Sequence, residues 1–453
     1  MNKKIPIHLS TTHTIMLSFI VAILVGSLLL SLPISSASGK AVPYIDALFT
    51  ATTATCVTGL VTVPTVSAWS TFGQAVILVL IQIGGLGIIT IFSGLMISFH
   101  KRIGIGDRML IQDAFNLNTL SGIVVFIKKV FIGTFVVEGI GALLYMTVFV
   151  PEYGLRGIWI SVFNAVSAFC NAGMDILSED SLCEYALNPM VNLVTGMLVI
   201  LGGIGYIVWW DLIRVLKNVK KQKLKCMKSL TLHSKIALSA TAILLLSGAV
   251  SFFIFEYNNP LTMKDYSFFD RVQVSLFQSM TTRTAGFATI PQQNLTNASA
   301  LTALMLMFIG GSPVGTAGGV KTVTIAVLLA SALATIRNNE DVSLFHRTLS
   351  KQAISKAVAV VCMSFVIMFT SSILLAAVTN ADALDILYET VSATATVGLT
   401  RNLTPSLNIL GKVIIIVTMY LGRVGPISLV IAFNTKKKRS NIIKNPTEEI
   451  SVG

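Results

Sequence analysis

The sequence predicts an all-α integral membrane protein built from four repeats of a helix, a re-entrant pore loop and a second helix. Apolar residues make up 54% of the 453 positions and charged residues 12%, a balance that the surface of a soluble globular protein cannot supply. Eight segments are long and apolar enough to cross a bilayer, and the four outward connections share one glycine-terminated pattern. These observations together predict eight transmembrane helices around a central ion pore.

A helix that spans the hydrocarbon core needs about 20 mostly apolar residues, because that core is about 30 Å thick. The first such segment follows two lysines, as a secretory signal does, but its apolar stretch exceeds the roughly 7–15 residues of a signal core. We therefore expect it to remain in the protein. The eight predicted spans are residues 14–34, 74–99, 123–150, 190–211, 231–256, 301–336, 352–379 and 407–433.

The net charge of +13 has a topogenic explanation that we prefer to nucleic-acid binding. Lysine and arginine cluster in every second connection, which predicts that these connections and both termini are cytoplasmic in a multi-pass protein of the cell membrane. The five cysteines show no C-x-x-C spacing, so neither a disulfide framework nor a zinc site is expected. The basic clusters are residues 3–4, 101–108, 217–228, 337–356 and 436–439.

The four outward connections each contain an aromatic residue, a Ser or Thr four positions later, and a terminal glycine. The terminal glycines are spaced by 114, 113 and 112 residues, which indicates an internal repeat. For any single loop, a glycine that simply ends a helix would be the better interpretation, but four copies in register favour a shared function. The segments are FTATTATCVTG (49–59), FNAVSAFCNAG (163–173), FQSMTTRTAG (277–286) and YETVSATATVG (388–398).

A segment of about a dozen residues is too short to cross the bilayer, so we expect it to dip in as a half-helix and return. Its non-helical return is tolerated at membrane depth only where it lines a wet cavity. A glycine there can adopt a positive φ, which turns successive carbonyls toward one axis. Four such loops would replace the water shell of a dehydrated monovalent cation, most simply potassium.

These loops, the stretch GGSPVGTAGGVK (310–321) and the motif LGRVGP (421–426) resemble the Trk/Ktr/HKT superfamily of potassium transporters. The chain is most similar to its bacterial KtrB-type membrane subunits, and the likeness includes the tail at 445–453. The resemblance implies potassium uptake through one pore per subunit of a homodimer. It also implies a filter formed by the backbone of Val57, Thr58, Gly59, Asn171, Ala172, Gly173, Thr284, Ala285, Gly286, Thr396, Val397 and Gly398.

Residues 310–321, here called the glycine-rich loop, should break the sixth span, because five glycines and Pro313 fall within ten residues. A simple kink would need far fewer glycines. In the resembling family this segment lies under the filter and obstructs conduction until it moves. Arg423 should face the pore from an otherwise apolar span and act in the same barrier. The predicted gating residues are Gly310, Gly311, Pro313, Gly315, Gly318, Gly319, Lys321 and Arg423.

Several residues leave two interpretations open. Lys321 either snorkels or pairs at the end of the broken helix, and Glu138 has either a hydrogen-bonded packing role or a functional one. Arg283 is either an electrostatic brace or a solvated surface arginine. A second glycine set follows each loop, and for the first two copies close helix packing is the better explanation. That set is Gly84, Gly85 and Gly87; Gly202, Gly203 and Gly205; Gly310, Gly311 and Gly315; and Gly422 and Gly425.

Other function classes fit the sequence less well. No H-E-x-x-H or nucleophile-elbow pattern is present, and all five histidines fall near the predicted cytoplasmic side, which argues against a membrane enzyme. A proton-driven carrier would need a chain of buried acidic or histidine residues, whereas Glu138 stands alone. A sodium-permeable or sodium-coupled transporter of the same fold remains the alternative. No covalent cofactor is expected, only K⁺ as transported ion with Na⁺ as a second candidate.

The chain has no cytosolic segment large enough to fold alone, so regulation requires a separate partner. The resemblance implies a ring of cytosolic nucleotide-binding subunits of the RCK type, which would dock on the basic segments and the tail, beside membrane lipid as the other partner. The predicted domains are repeat 1 at 1–110, repeat 2 at 111–228, repeat 3 with the glycine-rich loop at 229–350, repeat 4 at 351–435 and the tail at 436–453.

Overall fold

The computed structural model of the protein describes residues 11–87, 90, 91, 93, 122–217, 228–339 and 341–425. Each repeat contributes a leading helix, a pore helix and a trailing helix. The leading helices are Thr11–Leu30, Ile123–Tyr153, Leu232–Glu256 and Lys351–Val378. The pore helices are Tyr44–Cys56, Leu155–Cys170, Phe268–Thr281 and Ala383–Ala395. The trailing helices are Thr71–Leu86, Pro189–Ile204 continued by Tyr206–Leu216, Asn297–Phe308 followed by Thr322–Ile336, and Ile409–Val424.

The remaining elements of the described residues are short. The helix Thr65–Ala68 precedes the first trailing helix, and strands Ser343–Leu344 and Arg347–Thr348 pair as an antiparallel hairpin. Single 3₁₀ turns lie at Pro33–Ser35, Cys183–Tyr185, Gln292–Asn294 and Thr404–Ser406. The fold is otherwise helical, as the sequence predicts.

Helices overlap all eight predicted spans, but those in the second and eighth end at Leu86 and Val424, each before a glycine with positive φ, and the fourth and sixth spans are interrupted. Three described helices, with apolar cores at His13–Leu30, Leu232–Glu256 and Lys351–Val378, are long and apolar enough to cross a membrane alone. The fourth predicted span, residues 190–211, is bent. Its two halves meet at an angle of 99° at Gly205, whose φ of +91° is incompatible with a continuing helix.

The sixth span is interrupted between Phe308 and Thr322, as the glycine density predicts. The ends of two other predicted spans, residues 94–99 and 426–433, lie outside the described residues.

All four trailing helices begin at a side chain that caps the helix. Each cap oxygen accepts a hydrogen bond from a backbone N–H in the first turn, which satisfies a donor that would otherwise lack a partner. This local signal explains why the chain turns back into the membrane at the same point of every repeat. The caps are Ser70, Asn188, Thr296 and Asn408.

The four repeats close into a ring. The trailing helix of each repeat contacts the pore helix of the next, and the trailing helix of repeat 4 contacts the pore helix of repeat 1. The aromatic residue of each pore helix is buried in this arrangement, with 3% or less of its surface exposed. The pore helices are therefore held at the centre, surrounded by the longer helices. The four aromatics are Phe49, Phe163, Phe277 and Tyr388.

Candidate functional site

The four repeat glycines surround one centre. A Cβ added to Gly59 would lie 3.1 Å from Gly398 Cα and 3.2 Å from Gly173 Cα. A Cβ added to Gly286 would lie 2.9 Å from Gly173 Cα and 3.3 Å from Gly398 Cα. Each glycine thus neighbours the glycines of the two adjacent repeats, so residues 59, 173, 286 and 398 form a closed ring.

Main-chain carbonyls belong to the same ring. An added Cβ on each glycine would meet the carbonyl oxygen of the residue before the next glycine at 2.3–2.7 Å, closer than real Cβ atoms approach. A side chain at any of the four positions would therefore displace a carbonyl of the neighbouring repeat. The Cβ added to Gly59 meets the carbonyl of Ala172, and the Cβ added to Gly173 meets that of Ala285. The Cβ added to Gly286 meets the carbonyl of Val397, and the Cβ added to Gly398 meets that of Thr58.

The residue two positions before each glycine adopts a left-handed conformation, with φ between 52° and 65°. The three residues that end at each repeat glycine are here called a filter loop. The middle residue of each filter loop does not have a positive φ, whereas the glycine does. This alternation turns successive carbonyls toward the same side of the chain. Sequence reasoning missed it, because three of the four residues are β-branched and rarely adopt this conformation. They are Val57, Asn171, Thr284 and Thr396.

The Ser or Thr of the repeat pattern holds the filter loop in this shape. Thr53 Oγ1 accepts from Gly59 N at 2.9 Å, and Ser392 Oγ accepts from Gly398 N at 3.1 Å. Ser167 Oγ accepts from Met174 N at 3.1 Å. In repeat 3, where the loop is one residue shorter, Thr281 Oγ1 instead donates to the carbonyl of Phe287 at 2.6 Å. The spacing noticed in the sequence thus reflects a bond from pore helix to filter.

The chemistry of the ring suits a monovalent cation. The pore helices end at the filter loops, so their carbonyl ends direct partial negative charge at the centre. The described residues contain no cluster of three or more His, Cys, Asp or Glu side chains that could hold a metal ion. The site therefore offers neutral main-chain oxygens, a kind of ligand that can replace the water shell of an ion without binding it as tightly as carboxylates do.

The glycine-rich loop folds back on itself beside this ring. Gly310 N donates to the carbonyl of Val320 at 3.0 Å, and Val320 N donates to the carbonyl of Phe308 at 3.2 Å, which brings the two ends together. Ser312 N and Thr316 N donate to the carbonyls of Gly203 and Gly202 at 2.8 and 3.1 Å. The loop is thereby attached to the trailing helix of repeat 2.

Two side chains place the glycine-rich loop directly against the filter. Thr316 Oγ1 donates to Asn171 Oδ1 at 2.8 Å, and Asn171 is a filter residue of repeat 2. On the other side, a Cβ added to Gly318 would lie 1.9 Å from Oγ1 of the filter residue Thr396. The structure thus brings the predicted gating glycines together with the second and fourth filter loops.

Arg423 crosses from repeat 4 to this loop. Its Nη1 donates to the carbonyl of Thr316 at 2.7 Å, and its Nη2 donates to the carbonyl of Gly84 at 2.5 Å. Lys321 is held within the loop, where Nζ donates to the carbonyls of Ala317 at 2.5 Å and Gly318 at 3.5 Å. Of the two interpretations of Lys321, pairing is therefore the one observed, with main-chain carbonyls as partners.

The two remaining open residues are both buried. Glu138 is 5% exposed and accepts from Gln82 Nε2 at 3.2 Å, which is the hydrogen-bonded packing arrangement. Arg283 is 7% exposed and donates to two main-chain carbonyls, so the interpretation as a solvated surface arginine is wrong. No signal in the sequence distinguishes an outer arginine from one that lies behind the filter.

The second glycine set packs against the pore helices. An added Cβ on Gly84 would lie 2.0 Å from the carbonyl oxygen of Thr55, and on Gly202 it would lie 1.9 Å from that of Phe169. Close packing against a pore helix is thus observed for Gly84 and Gly202, whereas Gly87 and Gly205 end their helices with φ of +82° and +91°. Gly422 packs in the same way, since an added Cβ there would lie 2.2 Å from the carbonyl oxygen of Thr394.

A closed ring of main-chain oxygens at the ends of four half-helices, within a polytopic apolar chain, defines the class of membrane proteins that pass cations. The family model described as TrkH, cation transport protein, matches residues 2–444. The chain belongs to this TrkH family of cation transport proteins. The family resemblance and the predicted fold class are thereby confirmed, and the protein is a membrane transporter and not an enzyme.

Several relatives match along nearly their full length. The chain is 40% identical to Ktr system potassium uptake protein B of Bacillus subtilis, over 96% of this chain and 95% of the relative. It is 38% identical to potassium/sodium uptake protein NtpJ of Enterococcus hirae, over 100% and 99%. The crystal structure of the potassium transporter TrkH from Vibrio parahaemolyticus shares the fold, with a TM-score of 0.76 at 16% identity over 96% and 87% of the two chains.

Proposed function

We propose that this protein takes up potassium across the cell membrane by channel-like conduction through the ring of four filter loops. The observation that carries the proposal is the ring itself, in which each repeat glycine contacts the backbone of its neighbours and no side chain intervenes. Main-chain oxygens in such a ring replace the hydration shell of a potassium-sized ion. The ions would contact the backbone of the three filter residues in each repeat.

The names of two relatives refer to different ions. Protein B of Bacillus subtilis is named for potassium, whereas NtpJ of Enterococcus hirae is named for potassium and sodium. A sodium-permeable or sodium-coupled transporter is therefore the second candidate. One glycine per repeat supports this alternative, because each loop offers fewer successive carbonyls than the T-V-G-Y-G filter of potassium channels.

The glycine-rich loop is the proposed gate. Its contacts with Asn171 and Thr396 support this role, and the guanidinium of Arg423 would add positive charge where a cation would pass. Movement of the loop away from the pore axis would open the pathway. The proposed gating residues are Gly310, Gly311, Pro313, Gly315, Gly318, Gly319, Lys321 and Arg423.

The assembly proposed for this chain follows its relatives. The name Ktr system denotes a membrane protein that is one part of a larger system, which supports a separate regulatory partner here. We infer a cytosolic ring of nucleotide-binding RCK-type subunits that contacts the basic segments and the tail at 436–453, on a homodimer with both termini cytoplasmic. The tail lies outside the described residues. The repeat boundaries given above are part of the same proposal.

Uptake by purified protein in liposomes tests the transport function. We expect rubidium and potassium to enter faster than sodium, and Gly286→Ser to reduce that preference about tenfold or more, because the added side chain displaces the Val397 carbonyl. Gly39→Ser is the matched control. Gly39 also has a positive φ, of +69°, but an added Cβ there meets nothing within 4 Å.

The outcomes separate the two candidates. Equal rubidium and sodium uptake by the unchanged protein would favour the sodium-permeable alternative. An ion preference that Gly286→Ser leaves at the level of Gly39→Ser would contradict the filter itself.

A further inference from the structure

Arg283 is a buried cation without an acidic partner among the described residues. It follows the pore helix of repeat 3 and lies three residues before the filter glycine Gly286. Its side chain is 7% exposed, and the ion pairs of the described residues do not include it. Desolvating a guanidinium is costly unless strong hydrogen bonds compensate, so the contacts it does make are informative.

The guanidinium connects two segments that the sequence separates widely. Nη2 donates to the carbonyl of Gly310 at 3.2 Å, and Nη1 donates to the carbonyl of Thr241 at 3.4 Å. Thr241 belongs to the leading helix of repeat 3, which spans the membrane without interruption. Gly310 is the second residue after the trailing helix ends at Phe308, and the glycine-rich loop starts there.

Space for movement lies beside this connection. A cavity of about 20 Å³ is lined by Arg283, Thr241, Met280 and Gly311, together with residues of the trailing helix of repeat 2. Arg283 Nε and Thr241 Oγ1 are buried and have no hydrogen-bond partner. The cavity is large enough for one water molecule, so the guanidinium can exchange the Gly310 carbonyl for another partner when the loop moves.

We propose that Arg283 is a positioning residue that holds the glycine-rich loop in the closed arrangement by tying its first residue to the leading helix of repeat 3. This inference rests on the proposed gating function. The Arg283 guanidinium donates to the loop and to the leading helix, and to none of the filter carbonyls. It therefore controls how often the loop leaves the pore, while the ion preference of the ring is set elsewhere.

Initial rates of rubidium uptake into liposomes test the inference with Arg283→Gln and Arg283→Lys. Gln cannot bridge both carbonyls and carries no charge, so the uptake rate should rise about tenfold, since hydrogen bonds from charged groups are the stronger ones. Lys keeps the charge but lacks the planar fork, so its rate should lie between those of Gln and Arg. The ratio of rubidium to sodium uptake should not change in either variant.

Arg401→Gln is the matched control. Arg401 follows the fourth filter loop, pairs with Asp385 at 2.6 Å and donates to the Gln292 carbonyl at 3.3 Å, without contacting the glycine-rich loop. Its variant should retain the rate of the unchanged protein. If Arg283→Gln does not fold, Arg283→Lys carries the test, because the ammonium still reaches one carbonyl.

The results distinguish this inference from the proposed function. A slower rate per folded molecule, or an altered ion preference without a faster rate, would show that Arg283 only stabilises the filter and would overturn the inference. Unaltered rates in both variants would do the same. If the unchanged protein itself showed no preference for rubidium over sodium, the potassium function would fail, independently of whether Arg283 altered the rate.

Discussion

Val57, Thr284 and Thr396 each hold a β-branched side chain in the left-handed region, a conformation that costs about 1–3 kcal/mol per residue. The surrounding structure must supply this free energy. Main-chain bonds from the filter loops to the pore helices contribute, such as Thr58 N to the Thr53 carbonyl at 2.8 Å and Val397 N to the Ser392 carbonyl at 2.8 Å. At the scale of single residues, the filter is a strained segment held by its own pore helix.

Thr53→Ala tests this support. The substitution leaves the buried Gly59 N–H without its partner, which should lower the free energy of unfolding by about 1–3 kcal/mol and reduce the preference for rubidium over sodium. Thermal unfolding of the purified protein and liposome uptake measure the two effects. Thr302→Ala serves as a control, because the Thr302 hydroxyl donates to a carbonyl of its own helix far from the filter. Equal behaviour of the two variants would disprove the supporting role of Thr53.

At the scale of helices, repeats 1 and 4 meet through an ion pair between parts of the chain that are 366 residues apart. Lys412 Nζ, in the first turn of the last trailing helix, lies 2.6 Å from Asp46 Oδ1 in the first turn of the first pore helix. The side chains are 14% and 10% exposed, so this pair is less screened than a surface pair. It joins the last trailing helix to the first pore helix and so helps to close the ring of repeats.

Lys412→Met should lower the free energy of unfolding by about 2–3 kcal/mol, because the Asp46 carboxylate remains without its cation. This loss is somewhat smaller than that expected when one partner is removed from a fully buried pair. Adding Asp46→Asn should recover part of that loss, since the uncompensated charge is removed. The midpoint of thermal unfolding in detergent measures both. Lys264→Met, at an exposed residue outside these helices, should have no effect. Strictly additive effects of the two substitutions would show that the pair is not coupled.

At the scale of the whole molecule, four similar units close into one ring while only one of them carries the glycine-rich loop. The trailing helices of repeats 1, 2 and 4 all reach a glycine with φ between 82° and 91°, whereas that of repeat 3 opens into the loop. The loop contacts repeat 2 through Gly202 and Gly203 and repeat 4 through Arg423. A single asymmetric element can therefore respond to movements of several repeats.

The proposed regulation by a cytosolic ring also belongs to this scale. Rubidium uptake can be compared between membrane vesicles from the native host loaded with ATP and the same vesicles loaded with ADP. Deleting residues 436–453 should abolish any difference between the two uptake rates, because the proposed docking surface is lost. Basal uptake in liposomes should persist, which shows that the pore is intact. Nucleotide-dependent uptake that survives the deletion would remove the tail from the proposed contact.

The sequence by itself determines those features of this protein that depend on short segments of the chain. The four glycines, the Ser or Thr of each pore helix and the glycine density of the broken span are patterns within single segments, and each reflects a backbone requirement that does not depend on distant residues. These patterns predict the fold class, the four re-entrant loops and the break in the sixth span, whereas the gating role of that break and the individual filter residues follow from the family resemblance.

The tertiary structure alone decided which segments meet. Three contacts join parts of the chain that are more than 25 residues apart in sequence. They are the contact of Arg283 with the Gly310 carbonyl, that of Arg423 with the Thr316 carbonyl, and the pairing of Lys412 with Asp46. Such features depend on the packing of all four repeats, which local periodicity does not encode.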